Sequence, residues 1–322
     1  MDTSIYEYSI IIPVYNSEHT LKELHKRLIS SMGNVSSNYE IIFVDDCSTD
    51  RSWDVIKSIH NENDNIVAIR LAKNAGQHSA TICGFSNSKG YYVITLDDDL
   101  QHPPEEILKL INKMKDDYDV VMGKYEEKMH SRLRNIVSGI NIKLIGITFN
   151  APSDLSITSF RILRSQLIKN ILDINTPYPH IPSLIFKCTP TDKIANVLVH
   201  HDKRAVGKSG YNFIKLFIIW SNLLINYSSI PLMIIGVFGF IMSILSLGLG
   251  FLILIRRILN PEYGVMGWNS LIISLYLLSG SILMAIAIMG EYVRRIINQI
   301  SYNRPYLIRD LLETKQQKDV WE

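Results

Sequence analysis

Three consecutive carboxylates, Asp97, Asp98 and Asp99, stand in "ITLDDDLQHPPEEI" directly after the apolar run Val93, Ile94, Thr95 and Leu96. Like charges this close repel, so an acidic group at a strand end needs a positive partner. A divalent cation is one, since it takes carboxylate oxygens and leaves ligand positions for substrate phosphates. A solvated acidic turn leading into a helix after Pro103 and Pro104 is the other reading, and this stretch alone favours neither. A second acidic pair, Asp45 and Asp46, closes the apolar run "YEIIFVDD".

The elements that would position these groups follow from patterning. Apolar strand-like runs ("YSIIIPVYN", "YEIIFVDD", "NIVAIRLAKN", "GYYVITLDDD", "YDVVMGKY") alternate with stretches of helical spacing. Repeated strand–helix units with continuous apolar strands imply an α/β domain, a mostly parallel sheet covered on both faces. Ligands of such sheets bind at the carboxyl ends of the strands. No GxGxxG follows the first strand and no GxxxxGK[ST] occurs, so dinucleotide-dehydrogenase and P-loop readings lose their support.

The net charge is +2 over 322 residues, which gives no case for nucleic acid as a partner. Three cysteines without CxxC spacing argue against a disulfide framework or zinc site. The amino terminus starts acidic and its apolar stretch breaks at Pro13, so no cleaved signal peptide is expected.

Charge disappears from the chain after residue 215. Residues 216–255 and 263–290 carry no charged side chain. Segments 231–255 and 269–290 are each long enough to cross a hydrocarbon core of roughly 30 Å. The segment 211–229 has polar residues on one helical face and suits an interfacial helix or an amphipathic core helix. The expected organisation is a soluble domain over 1–210, an interfacial helix over 211–229, two spans within 230–292, and a tail over 293–322. Basic residues outside the spans (Lys203, Arg204, Lys208, Lys215, Arg294, Arg295, Arg304, Arg309) outnumber Arg256 and Arg257 between them. The soluble domain and tail are therefore expected on the cytosolic side of a multi-pass protein.

"IIPVYNSEHTL", "FVDDCSTDRS", "NAGQHSATICGF" and "TLDDDLQHPPEEI" together resemble the family-2 glycosyltransferases of GT-A fold. Within these, the chain is similar to the polyisoprenyl-phosphate glycosyltransferases, including bacterial enzymes that load glucose or aminoarabinose onto undecaprenyl phosphate and dolichol-phosphate mannose synthase. "GEYVRRIINQISYNRPYLI" resembles the closing motif of the bacterial members. The resemblance covers nearly the whole chain and implies an inverting transferase in the plasma (inner) membrane. It would move sugar from a nucleotide sugar, a UDP-sugar rather than a GDP-sugar, to a polyprenyl phosphate, and related enzymes are often homo-oligomers.

The same resemblance implies residue roles. Pro13, Tyr15, Asn16, Asp45 and Asp46 would line the nucleotide pocket. Asp97 and Asp99 would hold Mg²⁺ or Mn²⁺ on the diphosphate, with Asp98 at the variable middle position and Gln101 after them. Gln77 and His78 would shape the donor site; for His78 a helix-start residue without chemistry is the alternative. Arg204, Lys208, Ser209 and Tyr211, with Lys124, Arg132 and Arg161, would meet the lipid phosphate. Ordinary attraction of basic residues to anionic headgroups is compatible with that role. Asp154, before "FR", is the candidate base, at a spacing longer than the family pattern, and Asp99 could share the role. A phosphate acceptor is already largely ionised and needs little base help. Two other functions are set against this one: a processive polysaccharide synthase and an inactive nucleotide-sugar-binding scaffold. The first expects a QxxRW motif, but no tryptophan here is directly preceded by Arg; the second expects a broken DxD, and the pair is intact.

Overall fold

The computed structural model describes residues 5–125, 155–174, 176–200, 202, 267–301 and 305–314, with isolated residues between 235 and 259. The chain forms two compact units, Met1–Tyr211 with Tyr302–Glu322, and Asn212–Ser301.

The first unit is built on one eight-stranded sheet. Its strands are β1 (Tyr6–Val14), β2 (Tyr39–Asp45), β3 (Ile66–Leu71), β4 (Gly90–Thr95), β5 (Val120–Tyr125), β6 (Arg161–Arg164), β7 (Ile194–Val199) and β8 (Ile308–Leu312). Its helices are α1 (Leu21–Gly33), α2 (Ser52–Glu62), α3 (Gln77–Asn87), α4 (Ile107–Met114), α5 (Ser165–Leu172) and α6 (Ile181–Cys188). The strand order is β7-β5-β6-β4-β1-β2-β3-β8.

β1 carries consecutive isoleucines, Ile10, Ile11 and Ile12, all fully buried. That is the pattern of a central parallel strand covered on both faces. On one face Ile10, Ile12 and Val14 join the buried side chains of α1, α2 and α4. α1 shows why it packs there: Leu21, Leu24, Leu28 and Met32 recur at helical spacing and are all buried. On the other face α3 lies on β1 and β2, and α5 on β4 and β6. Gly84 permits the approach of α3, because a Cβ there would collide with Ile11 Cγ2.

The centre of the sheet is parallel, as the apolar runs imply: β1 pairs in parallel with β2 and β4, and β2 with β3. The flanks differ. β6 runs antiparallel between β4 and β5, and β8 antiparallel beside β3. These strands are four and five residues long and rich in charge (RILR, IRDLL), so patterning does not announce them. The sheet is thus mixed.

Its order sets the site. From β1 the chain builds outward through β2 and β3, then returns to place β4 on β1's other side. That reversal opens a crevice outside the carboxyl ends of β1 and β4, where ligands of open α/β sheets bind.

In the second unit, α7 (Trp268–Ser301) has 34 residues. Its window Leu277–Arg294 has mean hydropathy 1.4 and no buried share, so by length and composition it can cross a membrane. It overlaps the expected span 269–290. Among the described residues it is the one helix that meets this test. The described residues between 235 and 259 are helical and mostly exposed, including Phe238, Ile241, Ile244 and Phe251. The rest of the expected span 231–255, and segment 211–229, lie outside the described residues.

Candidate active site

Just past the end of β4 the three aspartates enter a turn and take different partners. Ile94 and Leu96 belong to the α1 side of the core, and Asp98 follows that parity. Asp98 Oδ2 accepts from Tyr15 N at 3.0 Å and Ser17 Oγ at 2.5 Å. Thr20 Oγ1 donates to the Asp98 carbonyl at 2.7 Å. Asp98 therefore ties the β1–α1 loop to the end of β4. Burial, opposed by the bonds from Ser17 and Tyr15, raises its carboxyl to about 6.

Asp97 takes the opposite side. Its Oδ1 accepts from Gln77 Nε2 at 2.7 Å and its Oδ2 from Ser159 Oγ at 2.8 Å. Asp99 Oδ1 accepts from Gln101 N at 3.1 Å, which folds the turn back on itself. Leu100 completes the turn at φ 61, a region costly for a branched side chain. Asn16 and Cys47 also have positive φ, so strained backbone gathers at the carboxyl ends of β1, β2 and β4.

His102 braces the turn from below. Its ring stacks between Phe160 and Tyr125, its Nδ1 accepts from Asp97 N at 3.3 Å, and its Nε2 meets the Tyr125 hydroxyl. Burial, with Asp97 and Asp99 nearby, raises the Tyr125 phenol well above its ordinary value.

Each carboxylate oxygen has two lone pairs. Asp97 and Asp99 stand two residues apart on a turn held by these bonds, and hard oxygen donors of this kind suit Mg²⁺ or Mn²⁺. Among the described residues no three His, Cys, Asp or Glu side chains converge on one point. A cation completed by substrate phosphates needs only one or two carboxylates. The residues present fit such an ion.

The β2 end is built differently. Asp45 is fully buried; its Oδ1 accepts from Ser48 N at 3.2 Å, and Arg70 Nε lies 3.3 Å from its Oδ2. Asp46 is 3% exposed and accepts from Ala75 N at 2.7 Å and Gly76 N at 2.8 Å. It thereby holds the β3–α3 loop that delivers Gln77. Burial raises both carboxyls.

Pro13 is buried within β1. Its side of the strand faces β4 beyond the last pair, Ile11 with Thr95, where no ladder bond forms and a missing N–H is tolerated. Tyr15 is 49% exposed at the mouth of the crevice. Asn16 Oδ1 accepts from Thr49 N at 2.8 Å, joining the β1 and β2 loops. Tyr15, Asn16, Gln77, Asp97, Asp98, Asp99 and Gln101 thus share one end of the sheet.

His78 and His180 pack together at the start of α3. Arg161 pairs with Thr95 across β4 and β6 and is 3% exposed. Burial lowers its guanidinium to about 10. The His78 ring lies 5.0 Å from that of His180, at 71°. Burial first, then neighbouring positive charge, takes His78 down to about 3 and His180 to about 4. Lys124 is the penultimate residue of β5 and is half-buried. Arg132, Asp154, Arg204, Lys208, Ser209 and Tyr211 lie outside the described residues.

Sequence reasoning missed His180, Ser159 and Ser17. His180 has a readable signal, a helix start with Pro182 in the first turn of "HIPS". The two serines have none, because a β6-adjacent loop and a DxD partner are set by tertiary pairing.

A mixed sheet whose switch point carries paired carboxylates and an exposed aromatic defines a GT-A-type glycosyltransferase domain. The chain belongs to glycosyl transferase family 2, whose profile matches residues 9–190. It is 32% identical over 311 residues to the undecaprenyl-phosphate 4-deoxy-4-formamido-L-arabinose transferase of Edwardsiella ictaluri (strain 93-146), covering 96% of this chain and 95% of the relative. It is 33% identical over 315 residues to the enzyme of that name from Proteus mirabilis (strain HI4320), with coverage of 97% and 96%. In fold it is similar to glucosyl-3-phosphoglycerate synthase from Mycobacterium tuberculosis, solved with Mn²⁺, UDP and phosphoglyceric acid. That match has a TM-score of 0.53 at 15% identity, over 68% of this chain and 76% of the other.

Proposed function

We propose that this enzyme transfers a sugar from a nucleotide diphosphate sugar to undecaprenyl phosphate, with inversion, giving a lipid-linked monosaccharide for the cell envelope. The observation that carries the reading is Asp97, held by Gln77 and Ser159 beside Asp99 at the β1/β4 switch point. The near full-length relatives named for this lipid carrier support it.

The acceptor phosphate oxygen attacks the anomeric carbon as the bond from that carbon to the nucleoside diphosphate breaks. Tyr15 and Asn16, with Pro13, form the wall for the nucleotide; Asp45 and Asp46 fix the loops around it. Gln77, His78, Asp98 and Gln101 shape the donor side. Asp97 and Asp99 would hold a divalent cation, Mg²⁺ or Mn²⁺, and that ion when bound would stabilise charge on the leaving diphosphate. Asp154 and Asp99 orient the acceptor, and Lys124, Arg132, Arg161, Arg204, Lys208, Ser209 and Tyr211 attract its phosphate. Catalysis then rests on positioning and preorganised charge.

The fold of Mn²⁺- and UDP-binding neighbours favours a UDP-sugar. The charge-free stretches favour two spans within 230–292 after a soluble domain over 1–210 and an interfacial helix over 211–229. Loop charges favour a cytosolic domain and 293–322 tail, and the family resemblance favours the plasma membrane and a homo-oligomer.

Purified protein in detergent, given undecaprenyl phosphate, a panel of nucleotide sugars and Mg²⁺ or Mn²⁺, tests this. One lipid-linked sugar, lost with EDTA and in Asp99→Asn, is expected. Intact nucleotide-sugar binding without any lipid product would overturn it in favour of a scaffold. Extended polymer would point to a processive synthase.

A further inference from the structure

Gln101 is bonded through both polar groups of its backbone. Its N–H donates to Asp99 Oδ1 at 3.1 Å, and its carbonyl accepts from Asp202 N at 3.1 Å. The residue that steers Asp99 is therefore itself held by chain that follows β7. His200 N donates to Glu106 Oε2 at 2.9 Å, so the same short segment takes both ends of the stretch 101–106. Pro103 and Pro104 lie between those ends and stiffen the stretch.

α1 fastens these pieces together. Arg27 presents its fork to Glu105, Nε to Oε1 at 2.9 Å and Nη2 to Oε2 at 2.7 Å. The same Nη2 lies 3.7 Å from Asp202 Oδ2, and His200 Nε2 lies 3.3 Å from Asp202 Oδ1. A bidentate guanidinium–carboxylate pair fixes direction as well as distance. Thr20, at the start of α1, donates to the Asp98 carbonyl at 2.7 Å. Thr20 and Arg27 lie about two helical turns apart, so they share one face of α1. The helix acts as a splint, with one contact on the aspartate turn and the other on the loop behind it.

Stability does not account for this arrangement. The side chains of Arg27, Glu105 and Asp202 are 25%, 53% and 39% exposed, and exposed ion pairs add little to a fold. Alignment does account for it, because the contacts converge on the turn that aims a carboxylate. We propose that Arg27, acting with Glu105 and Asp202, is a positioning residue for the divalent-cation site: it holds Gln101 where its N–H orients the Asp99 carboxylate. The proposal deepens the glycosyl-transfer reading and rests on it for the cation.

Mn²⁺ binding to the full-length protein in detergent, followed by electron paramagnetic resonance with UDP present, tests this without turnover. In Arg27→Ala the Mn²⁺ dissociation constant is expected to rise about tenfold, the scale of loss when a partner of a metal-binding group is removed. Arg27→Lys, which keeps the charge but not the fork, recovers part of that loss. Affinity for UDP without metal and the melting temperature stay near the native values. Lys26→Ala, at an exposed neighbour on α1, changes neither these nor the Mn²⁺ affinity. Unchanged Mn²⁺ affinity in folded Arg27→Ala overturns the proposal. An equal loss of metal-free UDP affinity also overturns it, since that marks general damage to the crevice. If Arg27→Ala does not fold, Glu105→Gln decides in its place, because it breaks the same fork at a more exposed side chain. Native protein that binds no Mn²⁺ even with UDP would sink the metal reading and this proposal with it. Native-level Mn²⁺ binding in every variant would sink this proposal alone.

Discussion

The carboxyl ends of β2 and β4 both carry consecutive aspartates, yet they are built for different work. At β2, Asp45 is sealed against Arg70 and Ser48, and Asp46 spans two backbone amides of the β3–α3 loop. At β4, Asp97 accepts from Gln77 and Ser159 and Asp99 from Gln101, and both carboxylates are half-buried. The two ends are linked in series: Asp46 holds the loop, the loop delivers Gln77, and Gln77 aims Asp97. Acidity at a strand end therefore does not by itself mark a ligand site. What distinguishes the two is burial: Asp45 and Asp46 are sealed inside the protein, whereas Asp97 and Asp99 are only half-buried.

The largest expected effect breaks the comparison most directly. Asp97→Asn and Asp99→Asn should each lower transfer by about 100-fold or more while leaving the melting temperature nearly unchanged, since such groups stabilise charge during the reaction. Asp46→Ala should do the reverse. It strands two buried amides, each bonded to a charged group at about 1.5–3 kcal/mol, so thermal unfolding should shift strongly downward. If Asp46→Ala unfolds normally and only loses UDP binding, the division drawn here fails. EDTA should abolish transfer by the native enzyme, with Mg²⁺ or Mn²⁺ restoring it, and should leave the unfolding temperature unaffected.

The pH dependence sharpens the contrast on the α3 side. His78 and His180 have folded values of about 3 and about 4, below the ordinary 6.5. Their contribution is present above pH 6.5 and is lost as pH falls through the folded values, because the unfolded chain takes up protons first. Melting temperature should fall as pH drops from about 6.5 toward 4, and a His78→Gln, His180→Gln double variant should flatten that slope. The smallest effect belongs to Asp98. Its raised value, about 6, means that its contribution is present below 3.8 and lost as pH rises through 6. Asp98→Asn, which keeps an acceptor for Tyr15 and Ser17, should gain relative stability above pH 6 and change transfer only a few-fold. A loss near that of Asp99→Asn would show that Asp98 touches the cation or substrate.

Much of this was legible in the residues. The apolar runs of β1 to β5 and the aspartates at their ends are local patterns, and local patterns survive folding. The family motifs fall at the ends of β1, β2 and β4 and at the start of α3, which the sheet order brings to one end. β6 and β8 were not legible, because strands of four or five residues, two of them charged, join a sheet only when a distant strand offers an edge. The division of labour between Asp45–Asp46 and Asp97–Asp99 was not legible either. It depends on which loop amides and which Arg happen to lie within reach, and Arg70, Ser159 and the Ala75 amide are all distant in sequence from the carboxylates they meet.

The pairing of β8 with β3 has a consequence for how the protein is made. Residues 212–301 interrupt a unit whose last strand comes after them. During synthesis from the amino terminus, the sheet therefore waits with the edge of β3 uncovered until the ribosome has delivered the whole apolar stretch and the strand Ile308–Leu312 behind it. An uncovered strand edge invites mispairing. Completion of the sheet is in this way made conditional on the synthesis of residues 212–301, so a nascent chain that stalls within them carries an unfinished edge for quality control to read.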